Sequence, residues 1–115
     1  MTMLKAERDS LKLLAERLRK VLGSNLIYFF AFGSRVRGDF HWESDFDLLV
    51  VVKEKNYSTI KLITDICYSV EEETGIPYSA VVKDIKAFNA EKKYKTGFYR
   101  NLKEEGIAIY GEVNH

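Results

Sequence analysis

Two aspartates, Asp45 and Asp47, stand one residue apart in the segment SDFDLLVVV, where an apolar run begins. Because residues two apart on a strand project to the same face, the two carboxylates are expected to point together, with Leu48 and Val50 pointing the other way. Two like charges at this spacing repel each other unless a cation lies between them. Mg²⁺ prefers oxygen ligands and often takes one or two carboxylates plus substrate phosphates. The alternative is that both acids lie at the solvated entrance of a strand.

A glycine and a serine, Gly33 and Ser34, directly follow a second apolar run, LIYFFAF. Glycine allows a tight turn and lets a ligand approach the backbone, and free N–H groups at the start of a helical turn bind phosphate. Arg35 and Arg37 add positive charge to the same segment. Alone, the segment also fits a plain Gly-Ser turn with solvated arginines. Followed by two acids about a dozen residues later, it predicts a site for a nucleoside triphosphate with Mg²⁺.

Hydrophobic patterning predicts the helices and strands that must position these residues. The expected order is an amphipathic helix over 3–22, strands over 26–32 and 46–52, a helix from Ser58 to about Thr74, a strand over 78–83, a helix over 91–105 and an edge strand over 107–110. The fold class is therefore α/β (α+β), a small mixed sheet flanked by helices. The connection between the first two strands is too short for an ordinary crossover helix, which favours an antiparallel or mixed pairing.

Individual residues are assigned to the ends and inner faces of these elements. Ser58 is expected to cap the second helix and Gly75 to end it, Gly23 to end the first helix in the left-handed conformation, and Asp84 to cap a short helix. The expected inward residues are Ile60, Ile63, Cys67 and Val70 in the second helix, and Tyr94, Phe98 and Leu102 in the last. Cys67 is interpreted as a core residue, because no His or Asn pattern accompanies it as in a nucleophile.

The bulk composition limits the possible functions. The 115 residues predict one domain over 1–115, and the net charge of +1, from 18 basic and 17 acidic residues, gives no general case for nucleic acid or an anionic membrane. The single cysteine favours a reducing cytoplasm. Charges in the first dozen residues predict that this segment is not a signal peptide, and the apolar runs are shorter than a membrane span. GSRVRG does not match the dinucleotide-binding pattern G-x-G-x-x-G.

Taken together, GSRVRG and SDFDL resemble the minimal nucleotidyltransferases of the DNA polymerase beta-like superfamily, which includes kanamycin nucleotidyltransferase. The resemblance covers nearly the whole chain. In that family the G-S turn binds the phosphates of the incoming nucleotide, and D-x-D on the next strand holds Mg²⁺. The resemblance implies the following roles: Asp45 and Asp47 as catalytic metal ligands, Gly33 and Ser34 as phosphate-binding residues, Arg37 as a further nucleotide contact, and Ser44 as a nucleotide-site residue that orients Asp45 or simply caps the strand.

The reaction implied by the resemblance is transfer of a nucleoside monophosphate, with ATP as the expected donor, to an acceptor hydroxyl. Members of the family usually carry a third carboxylate on the strand after the long helix. Here that strand presents either Tyr78, Ala80 and Val82 or Ser79, Val81 and Lys83 on its inward face, and neither set contains an acid. Glu43 is in phase with the two aspartates and is one alternative source, although a solvated loop acid fits it as well.

The resemblance also implies a partner. Similar chains are often paired with a HEPN-domain protein as the antitoxin half of a toxin–antitoxin system, and some of them modify that toxin with AMP. A chain of this length has no room for a separate acceptor domain, so we expect a partner protein or a second subunit, as in a homodimer, to help bind the acceptor. The main alternative is a nucleotide-binding antitoxin or complex subunit without turnover, which the missing third acid favours. An unrelated α/β domain with an incidental D-x-D is the remaining alternative.

Overall fold

The computed structural model describes residues 4–33 and 46–110. The elements are the helix α1 (Lys5–Leu22), a 3-10 turn (Gly23–Asn25), the strands β1 (Leu26–Phe32) and β2 (Phe46–Val52), the helix α2 (Tyr57–Thr74), the strand β3 (Tyr78–Asp84), the helices α3 (Ile85–Lys93) and α4 (Gly97–Glu105), and the strand β4 (Ile107–Tyr110). No helix within 4–33 and 46–110 combines the length and the apolar character needed to span a bilayer.

The strands form one sheet in the order β3-β2-β1-β4. β1 is antiparallel to both β2 and β4, whereas β2 and β3 run parallel and are joined through α2. The predicted mixed sheet flanked by helices is therefore confirmed, and so is the antiparallel pairing of the first two strands. A parallel neighbour needs a crossover connection, which explains why the long helix lies between β2 and β3.

Both faces of the sheet are covered, so the central strand β2 is buried from Leu48 to Val52. On one face, even-numbered residues of β2 pack with the inner faces of α1 and α2. On the other face, Leu49 and Val51 pack with Phe88 of α3 and Leu102 of α4. A strand covered on both sides is apolar at consecutive positions, which accounts for the uninterrupted run LLVVV.

The start of α2 differs from the prediction. Asn56, two residues before Ser58, is the N-cap, and its side-chain oxygen accepts a hydrogen bond from the Thr59 backbone N–H at 2.9 Å. Thr59 is buried beside this cap, whereas Ile60 is 38% exposed and was wrongly expected inside. Ile63, Cys67 and Val70 do face the core. The predicted first turn was wrong because the capping residue Asn56, and not the apolar residue Ile60, determines where the helix begins.

The predicted last helix over 91–105 begins too early: residues 91–93 belong to α3, the short helix that Asp84 caps as expected, and α4 begins only at Gly97. Lys95 adopts a positive φ of 49°, and Thr96 then caps α4 by accepting a hydrogen bond from the Tyr99 N–H at 3.2 Å. Tyr94, expected in the core, lies in the turn between the helices and is 72% exposed. The break redirects the chain so that Phe98 and Leu102, as predicted, contact the sheet.

The two glycines that end long helices behave differently. Gly75 is left-handed, with φ 74° and ψ 6°, and its N–H bonds to the Glu71 carbonyl at 2.7 Å, so it ends α2 as expected. Gly23 also has a positive φ of 55°, but its ψ of −130° lies outside the left-handed helical region. The expected left-handed cap at Gly23 is therefore wrong, because the chain passes directly into the 3-10 turn that leads to β1.

Candidate functional site

Asp47 is the second residue of β2 and lies between two neighbouring strands. It is paired in register with Phe32 at the end of β1 and with Ser79 near the start of β3. Because Leu49 and Val51 pack under α3 and α4, Asp47 belongs to that same face of the sheet. Leu48 and Val50 point to the opposite face, as the sequence predicted.

Gly33 brings the end of β1 directly against the Asp47 carboxylate. Its φ is 91°, a conformation that residues with a side chain rarely adopt. A Cβ built on Gly33 would overlap Oδ2 of Asp47 and would lie 3.1 Å from its Cγ. The backbone at the start of the predicted phosphate-binding turn is therefore in contact with the acid that was predicted to hold a metal. Among the predicted site residues, these two are brought together.

The other predicted site residues, Ser34, Arg37, Ser44 and Asp45, lie outside the described residues, as does Glu43. Their assigned roles stay predictions. Within 4–33 and 46–110, no group of three His, Cys, Asp or Glu side chains is arranged to hold a metal ion. The close approach of Gly33 to Asp47 nevertheless fits an oxygen-ligated cation beside bound phosphates, because the absence of a side chain at Gly33 lets the Asp47 carboxylate lie against the backbone of the predicted phosphate-binding turn.

The register of β3 decides which of its two alternating sets shares the face of Asp47. Ser79, Val81 and Lys83 lie opposite Asp47, Leu49 and Val51 respectively, so they form the set on this face. That set contains no acid, and Ser79 is the residue level with Asp47. Asp84, the acid at the strand's end, caps α3 by accepting a hydrogen bond from the Ala87 N–H at 2.7 Å. The structure therefore offers no third carboxylate on this face of β3.

A charged pair occupies the far end of this face, and sequence reasoning did not find it. The Lys83 ammonium lies 3.0 Å from Oε2 of Glu91 in α3 and 4.9 Å from the centroid of the Phe98 ring. Phe98 in turn makes an edge-on contact with Phe32, with the ring centroids 5.7 Å apart. The signal in the sequence was Lys83 in phase with Asp47, but nothing in the spacing identified Glu91 as its partner. The pair ties β3 to α3 beneath the helix that packs on β1.

Two side chains have shifted pKa values with identifiable causes. Burial raises the pKa of Glu91, but hydrogen bonds from Lys83 and Thr96 outweigh it and hold this pKa below its ordinary value. Glu91 is therefore an ion-pair partner rather than a general base near neutral pH. Burial, followed by the nearby charge of Glu71, raises the pKa of Cys67 to about 11. Cys67 is thus a protonated core thiol, consistent with its predicted structural role.

Comparison with known proteins identifies the family. Residues 11–109 match the model described as a nucleotidyltransferase domain, so the chain belongs to this family. It is 30% identical over 104 residues to a Methanocaldococcus jannaschii protein named "Putative protein adenylyltransferase MJ0604", and the match covers 90% of this chain and 98% of the relative. The resemblance to nucleotidyltransferases found in the motifs is confirmed.

Two solved structures share the fold. Spectinomycin adenyltransferase AAD(9) from Enterococcus faecialis, solved with ATP and spectinomycin, superposes with a TM-score of 0.64 at 20% identity over 93% of this chain. The chain spans 57% of the length of that enzyme. A toxin–antitoxin structure with AMP-PNP superposes with a TM-score of 0.55 at 13% identity, covering 88% of this chain and 73% of the other. At these identities the likeness establishes the fold.

Proposed function

We propose that this protein transfers a nucleoside monophosphate, AMP in the first instance, from a nucleoside triphosphate to a hydroxyl group of a partner protein. The observation that carries the proposal is the contact between the Gly33 backbone and the Asp47 carboxylate, at the ends of two adjacent strands. Membership of the nucleotidyltransferase family supports the reaction class. The name of the Methanocaldococcus jannaschii relative supports a protein as the acceptor and AMP as the transferred group.

The chain's own residues are proposed to bind and orient the substrate. Gly33 and Ser34 hold the phosphates through backbone N–H groups and a hydroxyl, and Arg37 adds a positive charge. Asp45 and Asp47 hold Mg²⁺, and Ser44 orients Asp45. Mg²⁺ bound there would supply positive charge that neutralises the triphosphate. The acceptor hydroxyl gives up its proton to a base or to water, and its oxygen forms a bond to the α-phosphorus. The bond from the α-phosphorus to the oxygen that bridges it to the β-phosphorus breaks, and pyrophosphate leaves with that electron pair.

We expect a low rate of nucleotidyl transfer, because the residue of β3 level with Asp47 is Ser79 and not an acid. The described part of β3 offers no carboxylate to take the proton from the acceptor hydroxyl on this face. General-base assistance contributes about 10²–10⁴-fold to the rates of enzymes that use it. Slow turnover follows unless Glu43 or the partner supplies the base. The same observation favours the second candidate function, a nucleotide-binding antitoxin or complex subunit without turnover.

The proposed partner is a toxin of the HEPN class, with a second copy of this chain as the alternative. The support is the fold shared with a toxin–antitoxin structure that contains AMP-PNP. We further propose that residues 1–115 form one domain that acts in the cytoplasm. In this arrangement the nucleotide site lies at the ends of β1 and β2, and the partner provides the acceptor hydroxyl.

The test uses the purified chain, the protein encoded by the adjacent gene, Mg²⁺ and ATP labelled at the α-phosphate. We expect label on the partner, and we expect Asp47→Asn to abolish it. Asp65→Asn is the matched control, because Asp65 is an exposed acid on α2 that pairs with Lys61 at 3.0 Å, outside the candidate site. Labelling that persists in Asp47→Asn would contradict the proposed site.

Thermal unfolding separates the two candidate functions. Both predict that Mg-ATP raises the melting temperature and that EDTA removes the increase. If the melting temperature rises but none of the four nucleoside triphosphates leaves label on the partner, the second candidate function, a nucleotide-binding subunit without turnover, is favoured. Absence of a shift would contradict both functions.

A further inference from the structure

A continuous trough runs along one side of the molecule between α1 and β4. Three adjoining cavities of about 280, 210 and 470 Å³ form it. The first two share Lys12 and Ile109, and the second and third share Arg19 and Tyr110. We call this feature the α1–β4 trough. Because residues from the start to the end of both elements line it in order, helix and strand run side by side along its length.

The helical wall of the trough carries a row of positive charge. Arg8, Lys12 and Arg19 line it, and at 100° per residue they lie within about 40° of one another around the helix axis. The row covers about 16 Å of the helix. Among the described residues, neither Arg8 nor Lys12 takes part in an ion pair. Arg19 lies over the Tyr110 ring, 5.5 Å from its centroid, and Glu16 is the one acid of this wall.

The opposite wall is a sheet edge. In the part of the chain that the structure describes, β4 pairs with β1 alone and ends the sheet. An edge strand presents backbone N–H and C=O groups that can pair with another extended chain. Ile107 and Ile109 add apolar wall to the trough. Ile107 is paired with Ala31, which is two residues before Gly33, so the Arg8 end of the trough lies near the candidate active site.

We propose that the α1–β4 trough binds an extended, acidic segment of a partner polypeptide, which adds a strand beside β4. A segment of about five residues spans the 16 Å of the cationic row at 3.3 Å per residue. Its backbone pairs with β4, and its acidic side chains face Arg8, Lys12 and Arg19. That this segment leads the acceptor hydroxyl to Gly33 and Asp47 rests on the proposed function, whereas binding of the segment does not.

The observations favour a polypeptide over the other possible occupants. Nucleic acid has no backbone that can extend a β-ladder, and the net charge of +1 gives no general attraction for it. A second copy pairing through its own β4 would present the sequence IAIY, which contains no acid, and would bring two cationic rows together. Charge complementarity and the open ladder are both satisfied by an acidic strand.

The experiment titrates the isotopically labelled full chain with the peptide acetyl-Glu-Val-Glu-Val-Glu-amide, without nucleotide, while backbone amide resonances are followed by NMR. We expect shifts concentrated at the amides of Ile107–Tyr110 and along α1. The variant Arg8→Glu/Lys12→Glu/Arg19→Glu should bind about tenfold more weakly. The control Lys53→Glu/Lys55→Glu/Lys86→Glu makes the same change in net charge at exposed positions outside the trough, and it should bind like the original protein.

Further probes separate the occupants and the role of the backbone. N-methylation of the peptide backbone should weaken binding, because it removes the N–H groups that donate hydrogen bonds to β4. The double variant Arg8→Glu/Lys12→Glu repeats the charge-reversal experiment while the contact between Arg19 and Tyr110 stays intact. Equal binding by the trough and control variants would overturn the proposal. So would stronger shifts of the trough amides by a ten-nucleotide oligouridine, or a concentration-dependent dimer that buries these amides. A missing Mg-ATP melting shift would contradict only the proposed function.

Discussion

Two separate features of the structure favour glycine at Gly33, directly after β1. Its φ of 91° disfavours any side chain, and the space a Cβ would need is filled by the Asp47 carboxylate. At Gly75 only the backbone conformation favours glycine, since its φ is 74° and a Cβ there would contact nothing within 4 Å. The two positions therefore separate the cost of backbone conformation from the cost of disturbing the candidate site.

We expect Gly33→Ala to lower the free energy of unfolding by more than the roughly 1–2 kcal/mol that a left-handed residue costs, and to abolish the melting shift caused by Mg-ATP. Gly75→Ala is the matched control: it should show the conformational cost and keep the shift. Denaturant titration and thermal unfolding with and without Mg-ATP measure both quantities. A Gly33→Ala variant that retains the full shift would show that this turn does not bind the phosphates.

Ser79 lies beside Asp47 on the neighbouring parallel strand and is exposed. An acid there would supply the carboxylate that β3 lacks on this face. We expect Ser79→Asp to tighten Mg²⁺ binding about tenfold, since affinity follows the number of charged oxygen ligands, and to lower stability without metal because two carboxylates then repel. Ser79→Asn, similar in size but neutral, is the control. Calorimetric titration that gives equal Mg²⁺ affinities for the two variants would contradict the position assigned to the metal.

The Lys83–Glu91 pair predicts a pH dependence of stability. The pKa of Glu91 is lowered in the folded protein, so the unfolded chain binds its proton at higher pH. The pair therefore stabilises the fold above the ordinary glutamate pKa, near 4.5, and this contribution is lost as the pH falls through the lowered folded value. Glu91→Gln should lower the free energy of unfolding at pH 7 and make the remaining loss of stability below pH 4.5 shallower. Urea titrations between pH 3 and 7 would show parallel curves if the pair contributes nothing.

At the scale of elements, the sequence identified most strands and helices because apolar runs and capping residues are local signals. LIYFFAF and FDLLVVV became β1 and β2 with the predicted bounds, and Gly75 and Asp84 end and begin their helices as expected. The break between α3 and α4 was predicted too early in the chain, because Lys95 carries no sequence signal for its positive φ. The pairing of Gly33 with Asp47 followed from motif order, but the Lys83–Glu91 pair depends on how α3 packs on β3, which local patterns do not encode.

The rate at which Cys67 is alkylated measures whether α2 stays packed on the sheet. Its side chain lies on the buried face of the helix, packed with the core on the α1 side of the sheet. With a pKa of about 11, only about one thiol in a thousand is ionised at pH 8. We expect iodoacetamide to label the native protein slowly, and to label it rapidly once denaturant unfolds the chain. Fast labelling under native conditions would mean that α2 separates from the sheet without global unfolding.

At the scale of the whole molecule, a nearly neutral composition conceals an uneven distribution of charge. The net charge of +1 gave no general case for affinity to polyanions, but folding aligns Arg8, Lys12 and Arg19 along one wall of the α1–β4 trough. The candidate nucleotide site uses backbone groups and carboxylates at the ends of β1 and β2 instead. The candidate nucleotide site and the proposed partner surface therefore lie apart in the fold, and β1 connects the two through its pairing with β2 and β4.

Ligand binding at the ends of β1 and β2 should stabilise the whole sheet and both helical layers, because β2 is buried between them and neither layer has an independent core. At a concentration 100 times its Kd, Mg-ATP should raise the free energy of unfolding by about 2.7 kcal/mol. Exchange of the most protected amides of β2, α1 and α2 should then slow by the corresponding factor, about a hundredfold. The unmodified protein and Asp65→Asn should show this slowing, and Asp47→Asn should not. Slowing confined to the ends of β1 and β2 would show that these strands open separately from the rest of the fold, and that the nucleotide stabilises only the local structure around its site.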